Sequence, residues 1–197
     1  MTELMAVVEK ERLVMEESGG GVTLCGGEPL MHADYLCEVL DELGRRGIHR
    51  TVDTTLFTSP AVIDRVMQRC ELFLVDLKMM DSERHLHYTR VRNEQILANI
   101  RQVSEAVHPF WIRIPLIAGV NADRDNLMAS AEFLASLPHR PEVVNLLAYH
   151  DVGKGKHARL GTTYNPEDWE MDVPSEDMQQ EALNIMAAHG LNAKMGG

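Results

Sequence analysis

The sequence predicts an α/β protein built on a parallel sheet, and three observations carry that expectation. Short apolar or β-branched runs alternate with stretches of helical spacing, five times over. Gly, Pro, Asn or Asp marks the changes of pattern. No low-complexity segment breaks the alternation. Strands separated by helices lie parallel and are joined by right-handed crossovers. A full eight-fold barrel needs about 250 residues, and the chain has 197. A partial barrel or an open sheet is therefore expected, as one domain over residues 1–197.

Each element has its own signal. Thr2 is positioned to cap a first helix, with Leu4, Val7, Val8 and Val14 or Met15 near helical spacing. Ser18 and three glycines end it. Residues 22–24 form a short strand, and the pair Gly26-Gly27 a tight turn that Pro29 stiffens. Leu36, Val39, Leu40 and Leu43 mark an amphipathic helix ending at 44–47. The strand at 49–54 contains Asp53 near its end. Ser59-Pro60 opens a helix through Ile63, Val66 and Met67. A buried strand at 72–78 closes on Asp76 and Lys78. Asn93 opens a helix through Ile96, Leu97, Ile100, Val103 and Val107. The strand at 110–117 carries Arg113 in its middle. Leu127, Ala131 and Leu134 mark the next helix, and 143–149 a strand leading to His150. Residues 151–172 read as a long polar, ordered loop. Ser175 caps a last helix through Met178, Ala182, Ile185 and Met186, followed by a short strand at 191–195.

Composition narrows the partners. With 19 Lys plus Arg against 30 Asp plus Glu, the net charge is −11, a poor match for nucleic acid. No apolar run is long enough for a bilayer, so no membrane partner is expected. Cys25, Cys37 and Cys70 are too scattered for a disulfide framework, which suits a cytoplasmic setting.

Ligands of such sheets bind beyond the carboxyl ends of the strands. Gly26, Gly27, Glu28, Asp53, Thr54, Asp76, Lys78 and His150 fall there, and Arg113 can point inward. Charges of both signs suit a zwitterion: Lys78 or Arg113 for a carboxylate, Asp53 or Asp76 for an ammonium or a metal ion. A structural ion-pair network under the loops is the alternative reading of the same residues. Weaker candidates have simpler explanations. His85 and His87 lie in helix or loop sequence, where a spacing of two does not share a face. Cys25 reads as a small buried residue. Lys154, Lys156, His157 and Arg159 read as a solvated basic loop.

Taken together, the motifs resemble a known family. Residues 19–30, GGGVTLCGGEPL, resemble a block of the glycyl-radical-enzyme activating enzymes of the pyruvate formate-lyase type, within the radical S-adenosylmethionine (SAM) superfamily. Further matching segments follow in order: Gly47-Ile48-His49 with Val52-Asp53-Thr54, Val75-Asp76-Leu77-Lys78, Tyr88-Thr89 with Val91 and Asn93, Trp111-Ile112-Arg113, and Leu147-Ala148-Tyr149-His150 with Gly153-Lys154. The resemblance implies a partial parallel (β/α) barrel. It also implies two cofactors, SAM and a [4Fe–4S] cluster held by C-x3-C-x2-C. Together they yield a radical that takes a hydrogen from a backbone glycine of a partner enzyme, with flavodoxin or ferredoxin as electron donor. Gly26, Gly27 and Glu28 would meet the SAM amine. Asp76, Leu77 and Lys78 would line the site, His150 would touch the adenosyl part, and Arg113 would lie near SAM and substrate. Asp53, Thr54 and Asp76 match positions of a monovalent cation site.

The departures are specific. No C-x3-C-x2-C occurs in the chain. The family's first strand and cluster loop would precede Met1, so the chain is expected to be an inactive carboxyl-terminal fragment of an oxidoreductase that works under anaerobic conditions. A non-catalytic SAM- or protein-binding remnant is the alternative. Cys25 stands where Ser is usual, Thr55-Leu56 where Asn-Gly or Ser-Gly is usual, and Thr89-Arg90-Val91-Arg92-Asn93 where Thr-Gly-Val-Ser-Asn is usual.

Overall fold

The computed structural model describes residues 1–150, 161, 165, 167 and 169–196. Most of the expected loop at 151–172, with Gly153, Lys154, Lys156, His157 and Arg159, lies outside the described residues. Six strands form one sheet in sequence order, and every pairing is parallel. They are β1 (Gly21–Leu24), β2 (His49–Thr54), β3 (Leu72–Asp76), β4 (Phe110–Leu116), β5 (Val144–Ala148) and β6 (Ala193–Met195). The helices between them are α3 (Ala33–Arg45), α4 (Pro60–Met67), α5 (Ser82–Thr89), α6 (Glu94–Glu105), α7 (Arg124–Ala135) and α8 (Glu176–Ala188), preceded by α1 (Thr2–Val8) and α2 (Arg12–Ser18). β1 and β6 do not pair with each other, so the sheet stays open. Among the described residues no helix is long and apolar enough to cross a membrane.

Alternation along the strands separates two faces. On β4, Phe110, Ile112, Ile114 and Leu116 are buried while Trp111, Arg113 and Pro115 are half-buried. The buried row joins Val52, Phe73, Val75, Val144 and Leu146 in a core with Leu40, Ile63, Ile100, Leu127, Leu134 and Ile185 of the helices. The inner face is mixed, with Leu72, Leu74 and Trp111 toward the amino ends and charged residues toward the carboxyl ends. Register aligns Asp76 with Arg113, Arg113 with Asn145, and Asn145 with Lys194.

Several helix boundaries follow their signals. Asp81, Asp123 and Ser175 each accept an N–H in the first turn of α5, α7 and α8. Pro60 begins α4, where its missing N–H costs nothing. The amino-terminal region departs from expectation. Thr2 lies inside α1 and makes no cap bond. Met5 is the buried anchor, packed on Val39, Leu43 and Ile48; of the expected positions Val8 and Met15 pack half-buried against it, while Leu4, Val7 and Val14 are exposed. A 3-10 turn at Glu9–Glu11 separates α1 from α2, so one helical period does not run through both. Val107 also falls outside its expected place: α6 stops at Glu105, and Val107 is exposed with φ 57°.

Candidate functional site

The carboxyl ends of β1, β2 and β3 meet at Glu28. Gly26 and Gly27 adopt φ of 99° and 36°, and a Cβ at either would meet open space. Backbone conformation, not crowding, therefore demands glycine here. The turn borders a cavity of ≈ 480 Å³ whose other walls include Leu24, Tyr35 and Leu36. Glu28 leaves the turn extended and caps the 3-10 turn Pro29–His32 through the Leu30 N–H. Its Oε1 also accepts the Thr54 hydroxyl at 2.6 Å. Oε2 accepts the Thr55 N–H at 2.8 Å and the Thr55 hydroxyl at 2.5 Å. One carboxylate thus pins the exit of β1 to the exit of β2.

Beside this staple, alternation turns Asp53 to the inner face while Thr54 is buried. Arg113 reaches from β4 and grips both acids. Its Nη1 donates to Asp53 Oδ2 at 2.8 Å and its Nη2 to Asp53 Oδ1. Nε and Nη2 donate to Asp76 Oδ1 at 3.0 and 2.7 Å. Lys78 Nζ holds the remaining oxygen, Asp76 Oδ2, at 3.0 Å. Burial raises the Asp53 pKa, Arg113 works against the rise, and Asp76 adds to it. For Arg113, burial opposes the charge, yet Asp76 and Asp53 outweigh it and raise the pKa. The cluster is formally neutral, two acids against two bases, and each side chain is only partly exposed.

Four of the expected residues, Asp53, Asp76, Lys78 and Arg113, form one network, and Glu28 with Thr54 forms a second beside it. A cavity of ≈ 280 Å³ lies against both, lined by Glu28, Thr55, Asp76, Lys78 and His85. That is below the roughly 300–1,000 Å³ of pockets that enclose a whole ligand. The Leu77 side chain is in the core and its N–H donates to Arg113 O, so what it presents to the site is backbone. His150 is exposed, two residues beyond β5.

Sequence reading missed a set of buried asparagines that fixes these loops. Asn99 donates to the carbonyls of Leu56 and Thr58. Asn93 donates to those of Met79 and Met80, and Asn121 to those of Lys78 and Pro115. Asn126 accepts the Met80 N–H. Polar residues inside or just before apolar helices are the one signal that marks them. Left-handed backbone recurs at Leu56 (φ 58°) and Arg90 (φ 68°), the two places where the resembling family has glycine.

The remaining candidates resolve simply. His85 is buried in α5, with Nδ1 2.7 Å from Val91 O and 2.9 Å from Thr89 Oγ1. His87 packs on Tyr88 and Trp169. Cys25, expected to be buried, is exposed because it follows the last β1 residue into the glycine turn. Cys37 and Cys70 are buried, and burial pushes the Cys70 thiol up to about 12.

The model of the radical SAM superfamily matches residues 2–131. The chain belongs to the radical SAM superfamily. Its relatives are glycyl-radical-enzyme activating enzymes. The chain is 37% identical over 196 residues to the trans-4-hydroxy-L-proline dehydratase activating enzyme of Clostridioides difficile, covering 99% of this chain and 64% of that protein. It is 33% identical over 181 residues to the pyruvate formate-lyase-activating enzyme of Staphylococcus epidermidis, covering 89% and 71%. Among solved structures, a domain of pyruvate-formate lyase-activating enzyme from Bacteroides vulgatus matches with TM-score 0.79 and 50% identity, over 90% of this chain and 99% of that one. The chain thus spans less than two thirds of the first relative's length.

The two cofactors of a radical SAM enzyme can be tested against the residues present. SAM is a zwitterion with a cationic centre, and the strand-end cluster offers both signs; the Gly26-Gly27 turn lines a separate cavity that shares Glu28 and Met31 with the one at Asp76 and Lys78. Asn145 adds a buried Oδ1 without a partner among the described residues, on the same inner face. These residues fit SAM. The cluster is different: among the described residues no group of three potential ligands converges, and the three cysteines sit before Gly26, in α3 and before β3. They do not fit a [4Fe–4S] cluster.

Proposed function

We propose that this chain is the SAM-binding portion of a glycyl-radical-enzyme activating enzyme, one partial-barrel domain over residues 1–197. The observation that carries the reading is the strand-end cluster Asp53, Asp76, Lys78 and Arg113, whose cavity shares Glu28 with the one lined by the Gly26-Gly27 turn. In this reading Gly26, Gly27 and Glu28 frame the amine, and Lys78 meets the carboxylate as a point charge. Asp53 and Asp76 face the cationic groups; of the monovalent cation site Asp53, Thr54 and Asp76, Thr54 contributes only through its backbone, because its hydroxyl is held by Glu28. His150 meets the adenosyl part. When bound in the intact enzyme, SAM with its cluster supplies an organic radical for hydrogen abstraction. This chain's residues orient SAM and shield it; they hold no electron source.

The target in this reading is a backbone glycine of a partner such as a pyruvate formate-lyase-like enzyme. Flavodoxin or ferredoxin supplies the electron, and the setting is the cytoplasm. The coverage of the relatives and the missing C-x3-C-x2-C support a fragment of such an enzyme. That missing motif equally favours a second reading, a non-catalytic SAM- or protein-binding remnant.

Calorimetric or NMR titration with SAM tests the site. Lys78→Ala and His150→Ala each weaken SAM by roughly tenfold, the worth of a hydrogen bond to a charged group. Unchanged affinity in both variants overturns it. Iron and sulfide analysis after anaerobic reconstitution tests the fragment reading, which a stoichiometric [4Fe–4S] signal would end.

A further inference from the structure

Asp76, Arg113, Asn145 and Lys194 are successive register partners on β3, β4, β5 and β6. In a parallel sheet such partners share a face. Lys194 Nζ lies 5.7 Å from the Trp111 ring, which places it on the inner face with Arg113. Asn145 is 2% exposed, and its Oδ1 is a buried oxygen with no hydrogen-bond partner among the described residues. An unpaired buried carbonyl bears a full desolvation penalty and calls for a reason.

The neighbour supplies one. Among the described residues, every side-chain hydrogen bond of Arg113 runs away from β5, to Asp53 and Asp76. Those bonds occupy both Asp53 oxygens and Asp76 Oδ1, and Lys78 takes Asp76 Oδ2. A cationic ligand group that approaches these acids competes with Arg113 for the same oxygens. A displaced guanidinium, with only 22% of its side chain exposed, needs another acceptor. Adjacent strands lie about 4.8 Å apart, within the swing of an arginine stem. Asn145 is the register partner of Arg113 one strand over, and its Oδ1 has no partner among the described residues.

We propose that Arg113 is a two-position side chain and that Asn145 is its second acceptor. With the acids free of ligand, Arg113 neutralises them. When an ammonium or a cation takes their oxygens, the guanidinium turns onto Asn145, and Asn145 acts as a positioning residue through it. The inference rests on reading the cluster as a ligand site and names how that site changes hands.

The test follows the Arg113 Nε–H resonance in the full chain labelled with ¹⁵N-arginine, assigned with Arg113→Lys. Asp53→Asn removes one seat without any ligand, and Asp76→Asn serves if that variant does not fold. The Arg113 signal is expected to move in Asp53→Asn and to lose that movement in Asp53→Asn/Asn145→Leu. Asn145→Asp, which keeps an acceptor, is expected to retain it. Asn145→Leu alone is expected to raise Tm, because an isosteric apolar group replaces an unpaired carbonyl. Identical Arg113 signals in Asp53→Asn and the double variant overturn the proposal. Titration with SAM is expected to produce the same movement, and Asn145→Leu to weaken SAM by roughly tenfold. If SAM moves no amide at Gly26 or Gly27 in a uniformly ¹⁵N-labelled sample, the SAM reading falls, while the Asp53→Asn comparison still decides the role of Asn145.

Discussion

Removal of the Glu28 carboxylate should loosen the mouth of the sheet before it touches the core. In Glu28→Ala, four hydrogen bonds go: from Thr54 Oγ1 at 2.6 Å, Thr55 Oγ1 at 2.5 Å, the Thr55 N–H at 2.8 Å and the Leu30 N–H at 3.1 Å. Thr54 is 3% exposed, so its hydroxyl has little access to water once the carboxylate is gone. Hydrogen bonds to a charged group contribute about 1.5–3 kcal/mol each, but they share one acceptor group and do not add. Water can also rescue the half-buried Thr55. The net loss is therefore about 2–4 kcal/mol, or roughly 5–15 °C in Tm for a domain of this size. Glu28→Gln keeps one acceptor oxygen and should lose about half as much. Urea unfolding gives the free energies, and amide exchange at Thr55 reports the staple directly. A loss below about 1 kcal/mol, or unchanged protection at Thr55, refutes the reasoning.

Further outcomes follow from the same geometry. Arg90→Gly and Leu56→Gly both release left-handed backbone, a relief of about 1–2 kcal/mol, yet should differ clearly in stability. Arg90 gives up an exposed ion pair with Glu167, worth about 0–1 kcal/mol, and a contact with the Trp169 ring, worth about 0.5–1 kcal/mol, so its net change is small. Leu56 is fully buried, and its truncation costs about 2–5 kcal/mol; equal urea midpoints for the two variants contradict this. Burial holds the Asp53 pKa above 3.8, so the folded chain keeps that proton where the unfolded chain has lost it. The stability owed to Asp53 is then full below 3.8 and declines as pH rises through the folded value. A ¹³C-carboxyl titration of Asp53 below 3.8 reverses the sign. Cys25 should react rapidly with iodoacetamide while buried Cys37 and Cys70 stay protected in the native chain, as mass spectrometry of peptides will show.

The order of strands and helices was legible because each crossover carries its own punctuation. Ser59-Pro60, Asn93, Pro138 and Ser175 stand at or beside element boundaries, and β4 alternates in sequence as it does in burial. The amino-terminal helix was misread because helical spacing alone cannot say which stripe finds a partner. Met5, not Leu4 or Val7, faces α3. Cys25 was misread because an apolar neighbour run does not reveal where a strand ends.

By itself the sequence determined the class of fold, the glycine turn, and which strand ends carry charge. Those depend on local spacing and on residue types that only certain backbones accept, as with Gly26 at φ 99°. Tertiary structure alone decided who holds whom. Arg113 joins Asp53 and Asp76 across 60 and 37 residues of chain, and Glu28 joins Thr55 across 27. It also placed Asn145 beside Arg113 with an empty acceptor. Register across parallel strands sets these meetings, and register comes from packing of the opposite face, which no local pattern records.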